Sequence, residues 1–225
     1  MRSFESLQSE LLLFISQFDS CAVAMSAGVD STVVAKAAYV ALGENSVAVT
    51  ATSASLASGE LDDARRIATE IGIAHRVVET NEFANPLYVQ NSKDRCYHCK
   101  TELYSQLDGL SESLDVQVVF NGTNTDDLGD YRPGLQAASE HSVVSPLAEC
   151  GISKADVRSL AEGWNLPTWD KPASPCLSSR IAYGEEVTAE RLQMVDLAEQ
   201  WLKENGFVNL RVRYHRGDIA RIEVP

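Results

Sequence analysis

The sequence predicts an α/β protein in which a doubly wound, mainly parallel sheet is followed by a smaller C-terminal α+β unit. Segments typical of strands and of helices alternate as far as about residue 120, and the pattern then loosens into loops that contain Gly, Asp and Pro. With 225 residues, of which 44% are hydrophobic, the chain can bury a sizeable core. We therefore expect one domain over 1–165 and a smaller unit over 166–225.

The N-terminal part begins with a predicted amphipathic helix, because apolar residues recur at helical spacing between Phe4 and Phe18. The elements predicted after it are strands at 21–25, 46–52, 75–79 and 116–120, and helices at 32–42, 60–71 and 100–107. Strands that alternate with helices in this way form parallel βαβ units. In such sheets the ligand site lies where strands end and helices begin.

The later elements are predicted from capping and alternation signals. Ser153 and Asp156 have capping-box spacing before a helix that ends at Gly163. Thr188 can cap a long amphipathic helix that reaches about Asn205. The segments 209–214 and 219–224 alternate like the two strands of a hairpin.

Charge and targeting signals restrict the possible partners. The chain has 32 acidic and 19 basic residues, a net charge of −13, so its field repels nucleic acid and anionic membrane surfaces. A small anionic ligand in a local basic pocket is compatible with this charge. No apolar stretch approaches the roughly 20 residues that span a bilayer, and the N-terminus lacks a signal peptide, so we expect a cytoplasmic protein.

A short loop between the first predicted strand and helix carries the first chemical motif, SAGVDS at residues 26–31. Small residues let the backbone approach a phosphate, and the hydroxyls of Ser26 and Ser31, with the N–H groups after Gly28, can donate to it. The Asp30 carboxylate fits such a loop if Mg²⁺ lies between it and the anion. The alternative is an ordinary turn that caps a helix.

The five cysteines are not expected to form disulfides in a reducing cytosol. Cys96 and Cys99 form a CxxC pair, which can bind a metal ion or two corners of a cluster, carry out redox chemistry, or be inert. Cys176 precedes Arg180 in a loop, and a nearby guanidinium favours the thiolate. Cys21 and Cys150 are interpreted as ordinary apolar residues.

Two further segments carry groups suited to phosphates. The segment 121–134 follows a buried-looking strand and contains Asp126, Asp127 and Asp130, which could be solvated or could line a magnesium and phosphate site. Arg211 and Arg213 alternate along a predicted strand and therefore point to one face, near His215 and Arg216. That face suits a phosphate or carboxylate, and a solvated strand face is the alternative.

The motifs taken together resemble one family. SAGVDS is similar to the SGGxDS loop of the PP-loop ATP pyrophosphatases, with Ala27 in place of the first glycine, a change that is tolerable at negative φ and costly at positive φ. The ordered set SAGVDS, DRCYHCK, NGTNTDDLGDYRPG, SPLAECGISKADVR, LPTWDKPASPCLSSRI and LRVRYHRGDIARIEVP resembles the LarE family of sulfur transferases over the whole chain. This resemblance implies a sheet of the adenine nucleotide α-hydrolase-like type.

The resemblance implies that a carboxylate of pyridinium-3,5-biscarboxylic acid mononucleotide is adenylated with ATP and Mg²⁺ and converted to a thiocarboxylate, in nickel-pincer nucleotide cofactor synthesis. Cys176 matches the family's sulfur-handling cysteine, and Asp30, Arg180 and Glu199 are the other catalytic candidates. Residues assigned to ATP, magnesium or substrate phosphate are Ser26, Gly28, Asp30, Ser31, Thr50, Asn121, Thr123, Asp126, Arg211 and Arg213. Glu199 and Glu223 are weaker correspondences.

The family uses two sulfur sources. Cys96, Cys99 and Cys176 could hold three corners of a [4Fe-4S] cluster with one iron open to hydrosulfide; we favour this over sacrifice of Cys176, which leaves dehydroalanine. The rival hypotheses are a PP-loop tRNA thiolase and a non-catalytic module whose CxxC binds structural zinc. The resemblance also implies a homo-oligomer, with a hexamer as the candidate. Because family members usually continue beyond Pro225, we expect a C-terminal truncation.

Overall fold

The computed structural model describes residues 2–129 and 132–224, so Asp130, one of the three carboxylates predicted to line a phosphate site, lies outside the described residues. A four-stranded parallel sheet forms its centre, in the order β3-β2-β1-β4. The strands are β1 (Cys21–Ala24), β2 (Ser46–Thr52), β3 (Ala74–Glu79) and β4 (Val118–Phe120), followed by β5 (Arg211–His215) and β6 (Ile219–Glu223).

Helices cover both faces of this sheet. They are α1 (Phe4–Ile15), α2 (Val29–Leu42), α3 (Glu60–Ile71), α4 (Pro86–Val89), α5 (Arg95–Leu114), α6 (Pro133–Glu140), α7 (Pro146–Glu149), α8 (Lys154–Gly163) and α9 (Ala189–Glu204). One apolar core joins α1, α2, α3 and α8 to one face, and a second joins α5 and α6 to the other. The α/β fold with a mainly parallel sheet is therefore confirmed.

The central strands are buried by small and branched side chains. In β1, Cys21, Ala22 and Val23 are fully or almost fully buried, because helices lie on both faces of the sheet. Alanines crowd the facing side of α2, which lets that helix pack closely on the sheet. The order of the strands places the ends of β1 and β4 side by side, next to the start of α2.

Helix α5 ends at Leu114 rather than at residue 107, and two helices begin earlier than predicted. Helix α2 begins at Val29 rather than at residue 32, so Asp30 and Ser31 lie in its first turn. Helix α5 begins at Arg95 rather than at residue 100, so Cys96 and Cys99 lie inside the helix and not in the loop before it. The early start of α5 coincides with tertiary contacts of the buried Arg95, which local sequence does not reveal.

The C-terminal unit has its own apolar core and an antiparallel hairpin formed by β5 and β6. Thr188 caps α9 by accepting a hydrogen bond from the backbone N–H of Arg191, as the sequence predicts. Tyr88 from the first part of the chain contributes to this C-terminal core. Leu166 packs in the core of α1, α2, α3 and α8, and Leu177 packs in the C-terminal core, so the chain passes between these two cores across the predicted boundary. In the described part of the chain, no helix has the length and apolarity needed to cross a membrane.

Candidate active site

A cavity of about 760 Å³ opens at the carboxyl ends of the central strands. Its lining includes the loop after β1, the end of β2, the segment after β4, the first turns of α5, and the loop that carries Cys176. Predicted site residues that line it are Ser26, Asp30, Ser31, Thr50, Asn121, Thr123, Cys96, Cys99 and Cys176. The cavity thus brings the predicted nucleotide residues and the three candidate sulfur-handling cysteines to one place.

The loop after β1 is shaped for an anion. Gly28 is the N-cap of α2, and no side chain caps the first turn of this helix. The first N–H groups of a helix, together with its dipole, attract phosphate. Ser31 Oγ accepts the N–H of Ser26 at 3.1 Å and lies 3.2 Å from Ser26 Oγ, which fixes both hydroxyls beside the turn.

Ala27 has a φ of +56°, so it adopts the positive-φ conformation that is costly for alanine. For an L-residue other than glycine the left-handed region costs roughly 1–2 kcal/mol. Its side chain is fully buried in the core beneath the loop, and this burial offsets part of the cost. The alanine is accommodated because its methyl group packs away from the cavity.

Gly122 allows the segment after β4 to approach this loop. A Cβ atom at position 122 would lie 2.8 Å from the backbone nitrogen of Ser31 and 3.0 Å from backbone and side-chain atoms of Asp30. Asn121, beside it, accepts hydrogen bonds from the N–H of Thr123 at 3.0 Å and from Ser145 Oγ at 2.9 Å. The close approach requires glycine, and the Asn121 side chain shapes the turn that follows.

Both carboxylate oxygens of Asp30 are engaged. Asn124 Nδ2 donates to Oδ1 at 3.0 Å, and Lys154 Nζ donates to Oδ2 at 2.6 Å. The backbone N–H of Lys154 also donates to Asp126 Oδ2 at 3.3 Å. Our sequence reasoning missed Lys154, although the capping box at Ser153 marks it as the first residue of a helix.

Thr50 lies near the carboxyl end of β2, and its hydroxyl contacts Met25 and His75. Its hydroxyl donates to the carbonyl of Met25 at 2.8 Å and lies 2.9 Å from His75 Nε2. Because the single hydroxyl proton is used on Met25, the contact with His75 requires a proton on Nε2. Burial, and then the charge of Arg65, lower the pKa of His75, which favours the neutral ring at pH 7.

The three candidate sulfur-handling cysteines reach the cavity from two elements. Cys96 and Cys99 lie one turn apart at the start of α5, and Cys176 is exposed in its loop. Burial raises the pKa of the Cys99 thiol to about 12, and among the weaker influences Lys100 lowers it while Cys176 and Cys96 raise it. Within the described ranges, no three His, Cys, Asp or Glu side chains are close enough together to hold a metal ion.

The Cys176 loop is held by a buried ion pair. Arg180 Nε donates to Glu199 Oε1 at 3.0 Å, and the two side chains are only 5% and 2% exposed. Arg180 also donates to the backbone carbonyls of Pro175 and Cys176, and Glu199 accepts the N–H of Val212. Arg180 therefore contacts the backbone around Cys176, and Glu199 joins this loop to β5.

A buried hydroxyl cluster, formed by Ser55, Tyr88 and Ser178, joins the same loop to α4 and to the segment after β2. Tyr88 OH lies 2.6 Å from both Ser55 Oγ and Ser178 Oγ, and Ser178 Oγ donates to Ser55 Oγ at 3.0 Å. Arg95 donates to the carbonyl of Ser178 at 2.8 Å, which ties the start of α5 to the loop. Our sequence reasoning missed these residues, because their contacts with Ser178 join positions more than 80 residues apart.

Arg211 and Arg213 lie at alternate positions of β5, both half-buried. Arg211 lines a second cavity, of about 520 Å³, together with Lys171, Arg180, Lys203 and Glu223. Arg213 donates to Glu223 Oε1 at 2.7 Å and to the carbonyl of Ser179 at 3.1 Å. The loop 171–180 contributes to both cavities, since residues 171–174 and Arg180 line the second cavity and Cys176 lines the first.

Similarity to known proteins agrees with this arrangement. A profile of the NAD synthase family matches residues 7–103. The pyridinium-3,5-bisthiocarboxylic acid mononucleotide synthase of Lactiplantibacillus plantarum is 36% identical over 226 residues, which cover all of this chain and 82% of the relative. An uncharacterised protein of Synechocystis is 52% identical over 221 residues, 98% of this chain and 82% of that protein.

A more distant likeness connects the chain to another group of sulfur-transferring enzymes. A tRNA-specific 2-thiouridylase of Cereibacter sphaeroides is 27% identical over 243 residues, 87% of this chain and 64% of that enzyme. Two findings assign the chain to a family: the SAGVDS loop after β1, called the nucleotide loop below, and the full-length similarity to the Lactiplantibacillus plantarum enzyme. The chain belongs to the LarE family of PP-loop enzymes and is an ATP-dependent sulfurtransferase.

Proposed function

We propose that this enzyme adenylates a carboxylate of pyridinium-3,5-biscarboxylic acid mononucleotide and converts it to a thiocarboxylate, with sulfur handled by Cys96, Cys99 and Cys176. The single observation that carries the proposal is that the nucleotide loop and all three cysteines line one cavity. A carboxyl group activated at the loop can therefore meet a sulfur nucleophile without leaving the cavity. The relative from Lactiplantibacillus plantarum, named for the bisthiocarboxylic acid product, supports this substrate class.

The nucleotide half of the reaction rests on the loop after β1. The N–H groups at the start of α2 and the hydroxyls of Ser26 and Ser31 are suited to hold the pyrophosphate part of ATP. Attack of the substrate carboxylate on the α-phosphorus forms an acyl-adenylate and releases pyrophosphate, whose negative charge these donors stabilise. Thr50, Asn121 and Thr123 surround the same space.

Magnesium is the cation that such a site would use. Asp30 lines the cavity and supplies oxygen ligands of the type that Mg²⁺ prefers. Asp126 is not among the lining residues, and its carboxylate accepts the backbone N–H of Lys154, the residue whose ammonium contacts Asp30. When bound, Mg²⁺ supplies charge neutralisation of the phosphate oxygens. Asp30 would hold it at the first turn of α2, beside the N–H groups that face the pyrophosphate.

The sulfur half of the reaction rests on the three cysteines. Their thiolates are suitable ligands for a [4Fe-4S] cluster, which when bound supplies an iron that can carry the transferred sulfur. Cys96 and Cys99 would hold it from α5, and Cys176 from its loop. Arg95 and Arg180 orient these two elements through the backbone contacts described above. The sulfur nucleophile then displaces AMP from the activated carbonyl carbon.

Arg211 and the second cavity suit the phosphate of the substrate mononucleotide. Lys203 and Arg211 bring positive charge to this cavity in a chain whose net charge is −13, whereas Lys171 is paired with Glu60 and Asp63. Because the Cys176 loop contributes residues to both cavities, a substrate bound by its phosphate at Arg211 could present its ring carboxylate near Cys176. Arg213 supports this face through Glu223 and the backbone of Ser179.

Anaerobic purification tests the sulfur source. We expect broad absorbance near 400 nm, about four iron and four sulfide per chain, and loss of both after Cys96→Ala, Cys99→Ala or Cys176→Ala. Cys150→Ala is the matched control, since this cysteine lies outside the cavity, and it should keep the absorbance. Colourless protein that is active for one turnover and then loses the mass of one H₂S would overturn the cluster in favour of a sacrificed Cys176.

A second measurement tests the substrate class. Pyrophosphate release from ATP should require the pyridinium biscarboxylate mononucleotide and should persist in Cys176→Ala, because adenylation precedes sulfur delivery. Release that is stimulated by tRNA and not by the mononucleotide would instead identify a tRNA thiolase. Absence of release with either substrate would contradict the proposed reaction.

A further inference from the structure

Lys154 occupies the place at Asp30 that the proposed reaction assigns to a metal ion. Its ammonium lies 2.6 Å from Asp30 Oδ2, while Asn124 occupies Oδ1 at 3.0 Å. An ammonium group on Asp30 Oδ2 competes with a divalent cation for the same carboxylate, because their like charges repel. Lys154 therefore opposes binding of Mg²⁺ at Asp30 while it stays in this position.

The backbone of Lys154 is fixed although its side chain can move. Ser153 and Asp156 form a complete capping box at the start of α8, and the N–H of Lys154 donates to Asp126 Oδ2. Its side chain is 36% exposed and has a flexible four-carbon stem. The ammonium can therefore change partner while the helix start stays in place.

The surroundings define where a displaced ammonium would go. Asp30 lies in the first turn of α2, where the backbone N–H groups have no acceptor within the helix, and both Asp30 and Ser31 line the cavity. An anion held by those N–H groups lies within one residue of Asp30 and hence within reach of Lys154. Pyrophosphate is the most highly charged anion that the reaction forms, and a lysine ammonium is a suitable partner for phosphate oxygens.

We propose that Lys154 is an exchangeable counter-ion of the nucleotide site: it neutralises Asp30 before ATP binds, gives up that position to Mg²⁺, and then contacts the departing pyrophosphate. This inference rests on the proposed function, since it assumes a metal at Asp30. The proposed exchange makes Lys154 a residue that positions the leaving group. It also couples the binding of the metal at Asp30 to the release of Lys154 from Asp30. No covalent bond is formed or broken in the exchange.

The test uses Mn²⁺ as a spectroscopic substitute for Mg²⁺, with a non-hydrolysable ATP analogue, so it needs neither the pyridinium substrate nor a sulfur source. Removing the competing ammonium in Lys154→Met should make Mn²⁺ bind about threefold to tenfold more tightly, as judged by its electron paramagnetic resonance signal. Lys154→Arg keeps the charge and should bind Mn²⁺ as the unmodified protein does. Lys36→Met, at a half-buried position on α2, is the control for loss of a lysine elsewhere.

The same variant should bind the metal more tightly and yet react more slowly. In pyrophosphate release, Lys154→Met should lower the half-saturating Mg²⁺ concentration and reduce the maximal rate at least about tenfold, because the leaving group loses a cation. A merely structural role for Lys154 would leave the Mn²⁺ affinity unchanged and lower only the melting temperature. Unchanged or weaker Mn²⁺ binding in Lys154→Met would overturn the exchange.

One variant separates this inference from the function on which it rests. Asp30→Asn should weaken Mn²⁺ binding by at least about tenfold if the metal lies at Asp30. If Asp30→Asn binds Mn²⁺ normally, both the metal assignment and the exchange are wrong. If Asp30→Asn weakens binding and Lys154→Met leaves it unchanged, only the exchange is wrong.

Discussion

The nucleotide loop and the cysteine region share one cavity but differ in how they are built. The nucleotide loop is a single local segment, residues 26–31, fixed by its own hydroxyls and by the close approach of Gly122. The cysteine region joins α5 to a distant loop through a few long-range contacts, and no metal-binding group is complete among its described side chains. The comparison teaches that local contacts organise the loop after β1, whereas the cysteine region depends on packing between segments distant in the chain.

The largest effect is expected from the charge of the nucleotide loop. Asp30→Asn keeps a hydrogen-bonding side chain and removes the carboxylate, so pyrophosphate release should fall at least about a hundredfold. Asp108→Asn is the matched control, since Asp108 pairs with His141 on the outside of the molecule. A pyrophosphate assay at saturating ATP measures both variants. Retained activity in Asp30→Asn would show that the nucleotide loop acts without this carboxylate.

The next largest effect concerns the support of the cysteine loop. Arg180→Met removes one partner of a buried ion pair and leaves Glu199 as an unpaired buried charge, which should cost about 3–5 kcal/mol in the free energy of unfolding. The double variant Arg180→Met, Glu199→Leu should recover part of that loss. Urea denaturation measures these changes. A loss below about 1 kcal/mol for Arg180→Met would mean that the pair does not hold the loop.

Gly122 tests the close approach that shapes the nucleotide loop. Gly122→Ala places a Cβ atom 2.8 Å from the Ser31 backbone nitrogen, and the resulting strain should cost about 1–3 kcal/mol and weaken ATP binding. Gly109→Ala is the matched control, and it should raise the free energy of unfolding where Gly122→Ala lowers it. Gly109 lies in α5 with open space around its Cα, so alanine should stabilise the protein by up to about 1 kcal/mol. Calorimetric ATP titration and thermal unfolding distinguish the two variants.

The smallest effect concerns a cysteine of the rigid sheet that has no place in the cavity. Burial raises the pKa of Cys21 to about 12 from an ordinary value of 9.0. Between these values the unfolded thiol loses its proton while the folded thiol keeps it, so stability falls as the pH rises.

We expect this thiol to lower the free energy of unfolding by about 1.4 kcal/mol per pH unit above pH 9. Cys21→Ala should therefore show a shallower decline between pH 9 and 10 in urea denaturation. Equal slopes in the two proteins would contradict burial of this thiol.

The sequence predicted the fold class and most of its elements because those signals are local. Thr188 and Ser153 mark helix starts by capping, and both caps are present. The predicted start of α5, at residue 100, was wrong. The helix begins at Arg95, which contacts a segment more than 80 residues away, and local sequence does not reveal such a contact. Lys154 was missed because its role depends on the packing of α8 beside α2, which brings it to Asp30.

Glu199 illustrates the same limit in the candidate site. The resemblance implied a catalytic role, and the structure places this carboxylate beside Arg180 and the Val212 N–H, almost fully buried. A positioning role for Glu199 follows from those contacts, and its direct participation in the reaction stays a prediction. No local pattern reveals which carboxylates of an acidic chain become buried partners.

By itself, the sequence determined the α/β class, because periodicity and capping are encoded within short segments. Motif spacing within short segments also predicted a nucleotide loop after the first strand and the cysteines that could handle sulfur. Only the tertiary structure decided that the CxxC pair starts inside α5, that Cys176 shares the nucleotide cavity, and that Lys154 holds the carboxylate of Asp30. These outcomes depend on packing between residues distant in the chain. That packing minimises the free energy of the whole fold rather than of any one segment.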